Sequence, residues 1–429
     1  MREMKDSGIE WIGEIPKNKN IIRNKYLLEY TKGKLPVDTN FESVGFPYIG
    51  ATDLDSNELC KTYTCDETLP DSCDSDLLVL WDGARAGLCG THKVGKVSST
   101  IVRIREVDST IYRPFLYWYY KGFEDYMYQR VNGTTIPHMN RKYIEEIEMI
   151  DWTVQEQRHI VDYLDRKCSQ IDAIIARQQK VIEKLKAYKL SVITEAVTKG
   201  LNPDVPMKDS GDGFIGVMPE HWNVAKLGML FDFLGGCAYI SDSYTSESDN
   251  QVIRIGNVKS GYMALENNPV YISDEIASVT DKFRINPGSI LFTMTGTKGK
   301  RDYFFTHLVT EEDCKGKKLF LNQRVGCFIP KESIDAGYYS YLLKENRILD
   351  AIFVYETGTA NQGNLGIESI RRTKVQLPSK DEQIKIREYL DNRCAKIEGL
   401  LIRKSEIICR LMTYKKSLIY EVVTGKKEV

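Results

Sequence analysis

The stretch EQRHIVDYLDRKCSQIDAIIARQQKVIEKLKAYKLSVITEAVTK, residues 156–199, returns 226 residues later as EQIKIREYLDNRCAKIEGLLIRKSEIICRLMTYKKSLIYEVVTG, residues 382–425. The two align without a gap and share 18 of 44 positions, among them Glu156/Glu382, Gln157/Gln383, Ile160/Ile386, Tyr163/Tyr389, Asp165/Asp391, Tyr188/Tyr414 and Glu195/Glu421. Within the first copy Leu164, Cys168, Ile171, Ile175, Gln178, Ile182, Leu185, Lys189, Val192 and Ala196 follow at alternating steps of four and three. The second copy repeats the pattern with Leu390, Cys394, Ile397, Leu401, Lys404, Ile408, Leu411, Lys415, Leu418 and Val422. Apolar residues at that period form a heptad seam, which needs a partner helix to cover it. Neither copy contains proline, and only Gly399 interrupts good helix formers. Each copy therefore reads as one rod of roughly 65 Å, at 1.5 Å per residue.

Polar residues punctuate both seams at matching places, Gln178/Lys404 and Lys189/Lys415. A parallel, in-register pair would set Lys189 against Lys415, a like-charge contact inside the seam. An antiparallel pair separates these lysines and brings Gln178 near Lys404, so the sequence predicts two helices packed antiparallel within one chain. The plainer alternative is that each helix packs only on its own globular domain. Cys168 and Cys394 read as small apolar fillers of the seam.

The duplication extends past the helices. KDSGIEWIGEIP (Lys5 to Pro16) opens the chain, and KDSGDGFIGVMP (Lys208 to Pro219) follows the first long helix. Asn202-Pro203-Asp204-Val205-Pro206 cannot continue a helix and marks a turn into a new domain. Weaker echoes link Tyr48-Ile49-Gly50 with Arg254-Ile255-Gly256, Asp82 to Gly87 with Thr295 to Lys300, and Gly133-Thr134 with Gly358-Thr359. The layout is a variable domain at 1–153, a helix at 154–199, a second variable domain at 200–379 and a second helix at 380–429. The segment that opens the chain is the one that follows a helix internally, so the order is cyclic.

These openings, the E-Q…I…Y-L-D…C…I helix starts, the A-V-T-K-G-L-N-P-D-V-P exit (Ala196 to Pro206) and the E-V-V-T-G-K close (Glu421 to Lys426) carry a resemblance over essentially the whole chain. The chain resembles the specificity subunit of Type I restriction-modification enzymes. The resemblance implies two α/β (α+β) target-recognition domains in tandem, spaced by an intramolecular antiparallel coiled coil with pseudo-twofold, cyclic organisation. It implies a non-catalytic subunit, each variable domain reading one half of an asymmetric bipartite double-stranded DNA target while the helices set the gap. It further implies two modification subunits that bind S-adenosylmethionine and two restriction subunits that use ATP and magnesium, with no cofactor in this chain. A methyltransferase-only system, an enzyme with its own site and a coiled-coil adaptor without DNA binding are the alternatives.

Composition is ordinary for a globular protein, 42% hydrophobic and 28% charged over 429 residues. No apolar run approaches a membrane span and the polar start MREMKDSG is no signal peptide, so a cytoplasmic location with ten reduced cysteines is expected. The net charge is −1; residues 156–199 carry +3 and 380–429 carry +4, leaving −8 for the remainder. Phosphate neutralisation supplies most non-specific DNA affinity. The isolated chain is therefore expected to bind DNA weakly, with basic surface on partner subunits completing the clamp.

Enzyme motifs are weak or missing. Gly90-Thr91-His92-Lys93-Val94-Gly95-Lys96 has phosphate-loop spacing, but Val97 stands where Ser or Thr must hold magnesium. Cys60, Cys65, Cys73 and Cys89, with His92 nearby, form no C-x-x-C pair and read as structural rather than metal-binding. Leu77 to Trp81, Ile101 to Ile104 and Ser289 to Phe292 read as strands. Pro114 to Tyr120 and Tyr338 to Leu343 read as aromatic helices whose rings pack in a core. Contact with DNA is expected instead from polar residues in glycine-containing loops. In the first half these are Arg85, His92, Lys93, Asn132, Thr134, Thr135, His138, Asn140 and Arg141. In the second they are Thr297, Lys298, Lys300, Arg301, Asn322, Gln323, Arg324, Thr359, Asn361, Gln362 and Asn364. Arg and Lys can pair with guanine O6/N7, and Asn and Gln with adenine N6/N7. Turn formation is the competing role for each.

Overall fold

The computed structural model describes all residues except 1, 2, 57, 59, 131–136, 141–143 and 360. The chain divides into two compact units: unit 1 is Met1–Val181 with Lys404–Val429, and unit 2 is Ile182–Arg403. Each repeated segment is a single uninterrupted helix, Val154–Lys199 (46 residues) and Lys380–Val423 (44 residues). Each unit therefore contains part of both helices rather than one helix of its own.

Unit 1 holds two four-stranded sheets. One is antiparallel throughout, in the order Leu28–Lys32, Ile101–Glu106, Leu77–Leu80, Cys89–Gly90. The other runs Tyr63–Thr64, Phe46–Ile49, Gly95–Val97, Asp71–Ser72, and pairs Phe46–Ile49 with Gly95–Val97 in parallel. Leu77–Leu80 is buried at every position, as a short continuous apolar run should be when both faces are covered. Helix Arg113–Gly122 starts on Pro114, whose fixed φ suits a first turn, and buries Phe115, Leu116, Trp118, Tyr119 and Tyr120. The aromatic residues are core, as the sequence indicated.

Unit 2 repeats this plan where the sequences share almost nothing. Its antiparallel sheet runs Phe231–Gly235, Val325–Pro330, Ile290–Thr293, Thr306–Leu308. Its second sheet again has one parallel pair, Asn250–Ile253 with Lys318–Leu321. Helix Ala336–Leu342 buries Tyr338, Tyr339 and Leu342.

The residues identical between halves tie the long helices to these domains. Gln157 accepts from Tyr112 N at 2.7 Å and donates to Trp152 O at 2.8 Å; Gln383 accepts from Asp335 N at 2.8 Å and donates to Pro378 O at 3.0 Å. Asp165 accepts from Trp118 Nε1, and Asp391 from Tyr341 Oη, each at 2.8 Å. Glu156 accepts from Thr153 N at 2.8 Å, while Glu382 accepts from Trp222 Nε1 at 2.9 Å. The KDSG openings form matching two-stranded ribbons, Met4–Asp6 with Glu14–Pro16 and Met207–Asp209 with Val217–Pro219. Each ribbon turns through two left-handed glycines, Gly8 and Gly13 or Gly211 and Gly216, a conformation only glycine adopts cheaply.

Within unit 1, Ile12 and Ile15 of the opening ribbon, Ile160 to Ile171 of the first helix and Leu418 to Val423 of the second share one core. Within unit 2, Val192 to Val197 share a core with Ile215 and Met218 of the internal ribbon and with Ile386, Leu390 and Cys394. The cyclic order is thus visible inside each unit, and the alternative of one helix per globule fails. The pairing is antiparallel in both. In unit 1 Trp152 donates to Val423 O at 3.0 Å while Asp172 meets Lys415 at 2.7 Å. In unit 2 Tyr338 Oη and Gln376 donate to Val197 O, and Lys189 meets Glu398 at 2.5 Å.

All twenty seam positions are buried or half-buried, the buried ones near the helix ends and Ile175, Gln178, Ile182, Leu185, Lys189, Leu401, Lys404, Ile408, Leu411 and Lys415 half-buried along the middle. Two of the three seam lysines, Lys189 and Lys415, reach a carboxylate of the other helix, a pairing the heptad pattern did not foresee. Gln178 makes no hydrogen bond to Lys404, and its Oε1 is buried without a partner among the described residues.

Unit 1 also contains a fully buried carboxylate. Asp76 accepts from Arg105 Nε at 2.6 Å and Nη2 at 2.5 Å, with Arg113 Nη1 at 3.6 Å. Burial alone would raise its pKa, but hydrogen bonds from Arg105 and Cys73 N together outweigh it and leave the carboxyl below its usual range. A depressed carboxylate pKa stabilises the fold above the unfolded value and loses that contribution as pH falls through the folded one. Asp76→Asn is expected to cost about 3 kcal/mol at pH 7, the low end for a broken buried pair because both arginines keep some solvent. The difference from the parent should shrink below about pH 4. Urea unfolding of both proteins across pH 3–7 reads this directly, and a pH-independent difference would refute it.

Candidate nucleic-acid interface

Backbone hydrogen bonds give the equivalence of the two units position by position. Trp81 N donates to Thr100 O at 2.7 Å and Met139 N to Trp81 O at 2.8 Å; Met294 N donates to Arg324 O at 3.1 Å and Leu365 N to Met294 O at 2.9 Å. Asp82 bridges to His138 as Thr295 pairs with Asn364. Asp82 therefore stands where Thr295 does, His138 where Asn364 does, and Ser98-Ser99-Thr100 where Asn322-Gln323-Arg324 do. The Asp82/Thr295 echo in the sequence matches this register. The Ile49/Ile255 echo does not: Ser98 N bonds Ile49 O at 3.2 Å and Asn322 N bonds Ile253 O at 3.1 Å, so Ile253 is the counterpart.

Both edges are shaped by a close backbone approach at a glycine. A Cβ on Gly33 would lie 2.1 Å from Ser98 O, and one on Gly236 would lie 2.0 Å from Asn322 O. Ser98, Ser99 and Thr100 were not singled out in the sequence, because K-V-S-S-T shares no identity with F-L-N-Q-R; only strand pairing relates them.

The structure sorts the candidate residues by whether their side chains are already engaged. In unit 1 Arg85 pairs with Asp55 at 2.5 Å, His92 with Asp74 at 2.9 Å and His138 with Asp82 at 2.7 Å, while Lys93 donates to Ser56 O. Asp82 also meets Lys32 at 3.1 Å. Asn140 is exposed. Asn132, Thr134, Thr135 and Arg141 lie outside the described residues.

In unit 2 Arg301 pairs with Asp350 at 2.6 Å and Lys298 donates to Gly358 O at 3.0 Å. Thr297 N donates to Asp302 at 2.7 Å, and the Thr297 hydroxyl is the main cause holding that carboxyl below its usual range, with Lys300 adding to it. Asn322 Oδ1 accepts from Arg324 N at 3.5 Å. These residues build the loops. Glu356 completes the framework, accepting from Tyr303 Oη at 2.7 Å and Gly299 N at 3.1 Å. A side chain at Gly363 would displace the Glu356 carboxylate, since its Cβ would lie 2.5 Å from Glu356 Oε1.

Lys300, Gln323, Arg324, Thr359, Asn361, Gln362 and Asn364 remain, and among the described residues no hydrogen bond or ion pair occupies their side chains. Four of them, Gln323, Arg324, Gln362 and Asn364, line one open concavity of about 380 Å³ with Thr295. The hairpin Thr357–Thr359/Gln362–Asn364 forms one wall by pairing with Thr295–Gly296.

The phosphate-loop spacing fails structurally as well. Gly90 to Lys96 runs from strand Cys89–Gly90 into strand Gly95–Val97, with no helix N-terminus to receive a phosphate. Lys96 is buried and donates to Glu67 O at 3.0 Å and Leu69 O at 3.3 Å. Cys73 sits beside Arg113 at 3.5 Å, and Cys89 is buried in its strand. Among the described residues no helix is long and apolar enough to cross a membrane.

Two mixed α/β units of one topology, each completed by both long helices and each presenting a different polar edge, define a DNA sequence-recognition subunit. Residues 16–184 and 219–404 match the family described as Type I restriction modification DNA specificity domain, and the chain belongs to that family. Such subunits are the non-catalytic recognition components of their enzymes. The Type I restriction enzyme MjaVIII specificity subunit of Methanocaldococcus jannaschii is 27% identical over 423 residues, covering 97% of this chain and 94% of that one. The EcoBI specificity subunit of Escherichia coli is 18% identical over 357 residues, covering 82% and 73%. In fold, a chain from a type I R-M system solved to describe its complex assembly and conformational transition matches with a TM-score of 0.71 at 14% identity, covering 96% and 99%. The HsdS subunit of Thermoanaerobacter tengcongensis matches at 0.52 and 14% identity, covering 96% and 98%.

Proposed function

We propose that this chain reads an asymmetric, bipartite duplex target, one half-site per unit, from the major groove. The observation that carries this reading is the equivalence of the two edges in backbone and their difference in side chains. Asp82, Ser98, Ser99, Thr100 and His138 in unit 1 replace Thr295, Asn322, Gln323, Arg324 and Asn364 in unit 2. Equal scaffolds bearing unequal donors and acceptors read unequal base sequences. The long helices act as the spacer and as the docking surface for two modification subunits, which bring S-adenosylmethionine. Two restriction subunits bring ATP and magnesium, this chain holds no cofactor of its own, and the assembly works in the cytoplasm. Footprinting the assembled complex tests the reading. Two protected half-sites of different sequence, separated by a gap indifferent to sequence, are expected. One continuous protected site, or a palindrome, would refute it.

A further inference from the structure

Resting on that reading, we propose that the unit 2 edge recognises purines through their N7 side, with Arg324 pairing with a guanine and a neighbouring amide with an adenine. Three observations lead here. Arg324 and Gln323 are exposed at the start of strand Val325–Pro330, where the backbone is fixed by Met294 N to Arg324 O at 3.1 Å and Val325 N to Asn322 O at 2.9 Å. Their direction is therefore set by a sheet rather than by a free loop.

The second observation is chemical selection. Two of the other three cations of the sorted set in unit 2 already face a protein acceptor, Lys298 at Gly358 O and Arg301 at Asp350, and the third, Lys300, does not line the concavity. Arg324 has none among the described residues. Gln362 and Asn364 stand across the same concavity with unengaged amides, and Asn364 is fixed by register against Thr295. A guanidinium fork matches guanine O6 and N7, and a carboxamide matches adenine N6 and N7; neither matches a pyrimidine in two places.

The third is the contrast with unit 1. Thr100, at the Arg324 position, lies 3.1 Å from the Ser98 hydroxyl, and His138, at the Asn364 position, is tied to Asp82. The same edge there offers short hydroxyls and a carboxylate. The dependence on purine N7 that Arg324 carries should accordingly be confined to one half-site.

The test uses the full chain assembled with its modification subunits. The probe is a duplex carrying the target mapped from the host methylome, with 7-deazaguanine or 7-deazaadenine replacing purines in one half-site at a time. The deaza base removes the N7 acceptor and leaves Watson–Crick pairing intact. One 7-deazaguanine in one half-site is expected to weaken binding by the parent about 5- to 150-fold, the factor equivalent to about 1–3 kcal/mol. Arg324→Ala should be insensitive to that same replacement, and its methylated motif should become degenerate at that position alone. Arg324 is exposed and its side chain bonds nothing among the described residues, so the alanine variant keeps the fold. Two protected half-sites with every deaza replacement silent would overturn the purine assignment and leave the bipartite reading standing. Uniform weakening of Arg324→Ala on all sequences, with a salt slope reduced by about one charge, would make Arg324 a phosphate contact and also overturn it. A parent complex that protects no sequence would remove both readings together.

Discussion

Leu390→Asp is expected to unfold unit 2 and leave unit 1 folded. Leu390 is completely buried and lies in the core that also contains Val192, Ile193, Ala196 and Val197 of the first long helix. Truncating a buried leucine costs about 2–5 kcal/mol. An unpaired carboxylate adds several more, because nothing in this core donates to it. Whole domains are stable by only about 5–15 kcal/mol, so the loss consumes most of the margin. Leu164→Asp should do the same to unit 1, where Leu164 is equally buried in a separate core. Leu400→Asp is the control: this residue is 42% exposed and off the seam, and a surface change there should stay within about 0.5 kcal/mol. Hydrogen exchange read by mass spectrometry separates the cases. Equal loss of protection in both units from Leu390→Asp would mean that the two cores fold as one.

Seven residues inserted into both long helices, after Val181 and after Arg403, are expected to lengthen the gap of the target and leave both half-sites unchanged. One heptad keeps every seam residue on its own face, since the seam repeats every seven residues. It adds about 10 Å of helix, equivalent to at most about three base pairs at 3.4 Å each. The insertion points fall where the chain passes between its compact units, so neither core nor polar edge is altered. Insertion into one helix alone should instead destabilise the protein, because residues beyond the insertion lose their antiparallel partners. Methylome sequencing of hosts carrying each variant gives the result. New half-site bases, or an unchanged gap, would end the spacer role of the helices.

Much of this was legible in the residues. The steps of four and three through Leu164, Cys168 and Ile171, and again through Leu390, Cys394 and Ile397, required a partner helix, and all of these are buried against one. The polar positions at Lys189 and Lys415 disfavoured a parallel pair, and the helices run antiparallel in each unit. The shared Gln157/Gln383 and Asp165/Asp391 marked the points where domain and helix are tied, although only the coordinates name Tyr112, Asp335, Trp118 and Tyr341 as their partners.

Sequence by itself determined the features that repeat over short range: helix period, breaker residues, the ribbon glycines and the duplication that orders them. These depend on backbone geometry within a few residues, so the pattern carries them directly. Tertiary structure alone decided which polar side chains are engaged and which edge of one unit corresponds to which edge of the other. Arg85 is occupied by Asp55, thirty residues away, and Lys298 by Gly358, sixty away. Arg324, identical in chemistry to Arg85, is left open among the described residues. Hydrogen-bond saturation is a property of long-range pairing, and no local pattern encodes it.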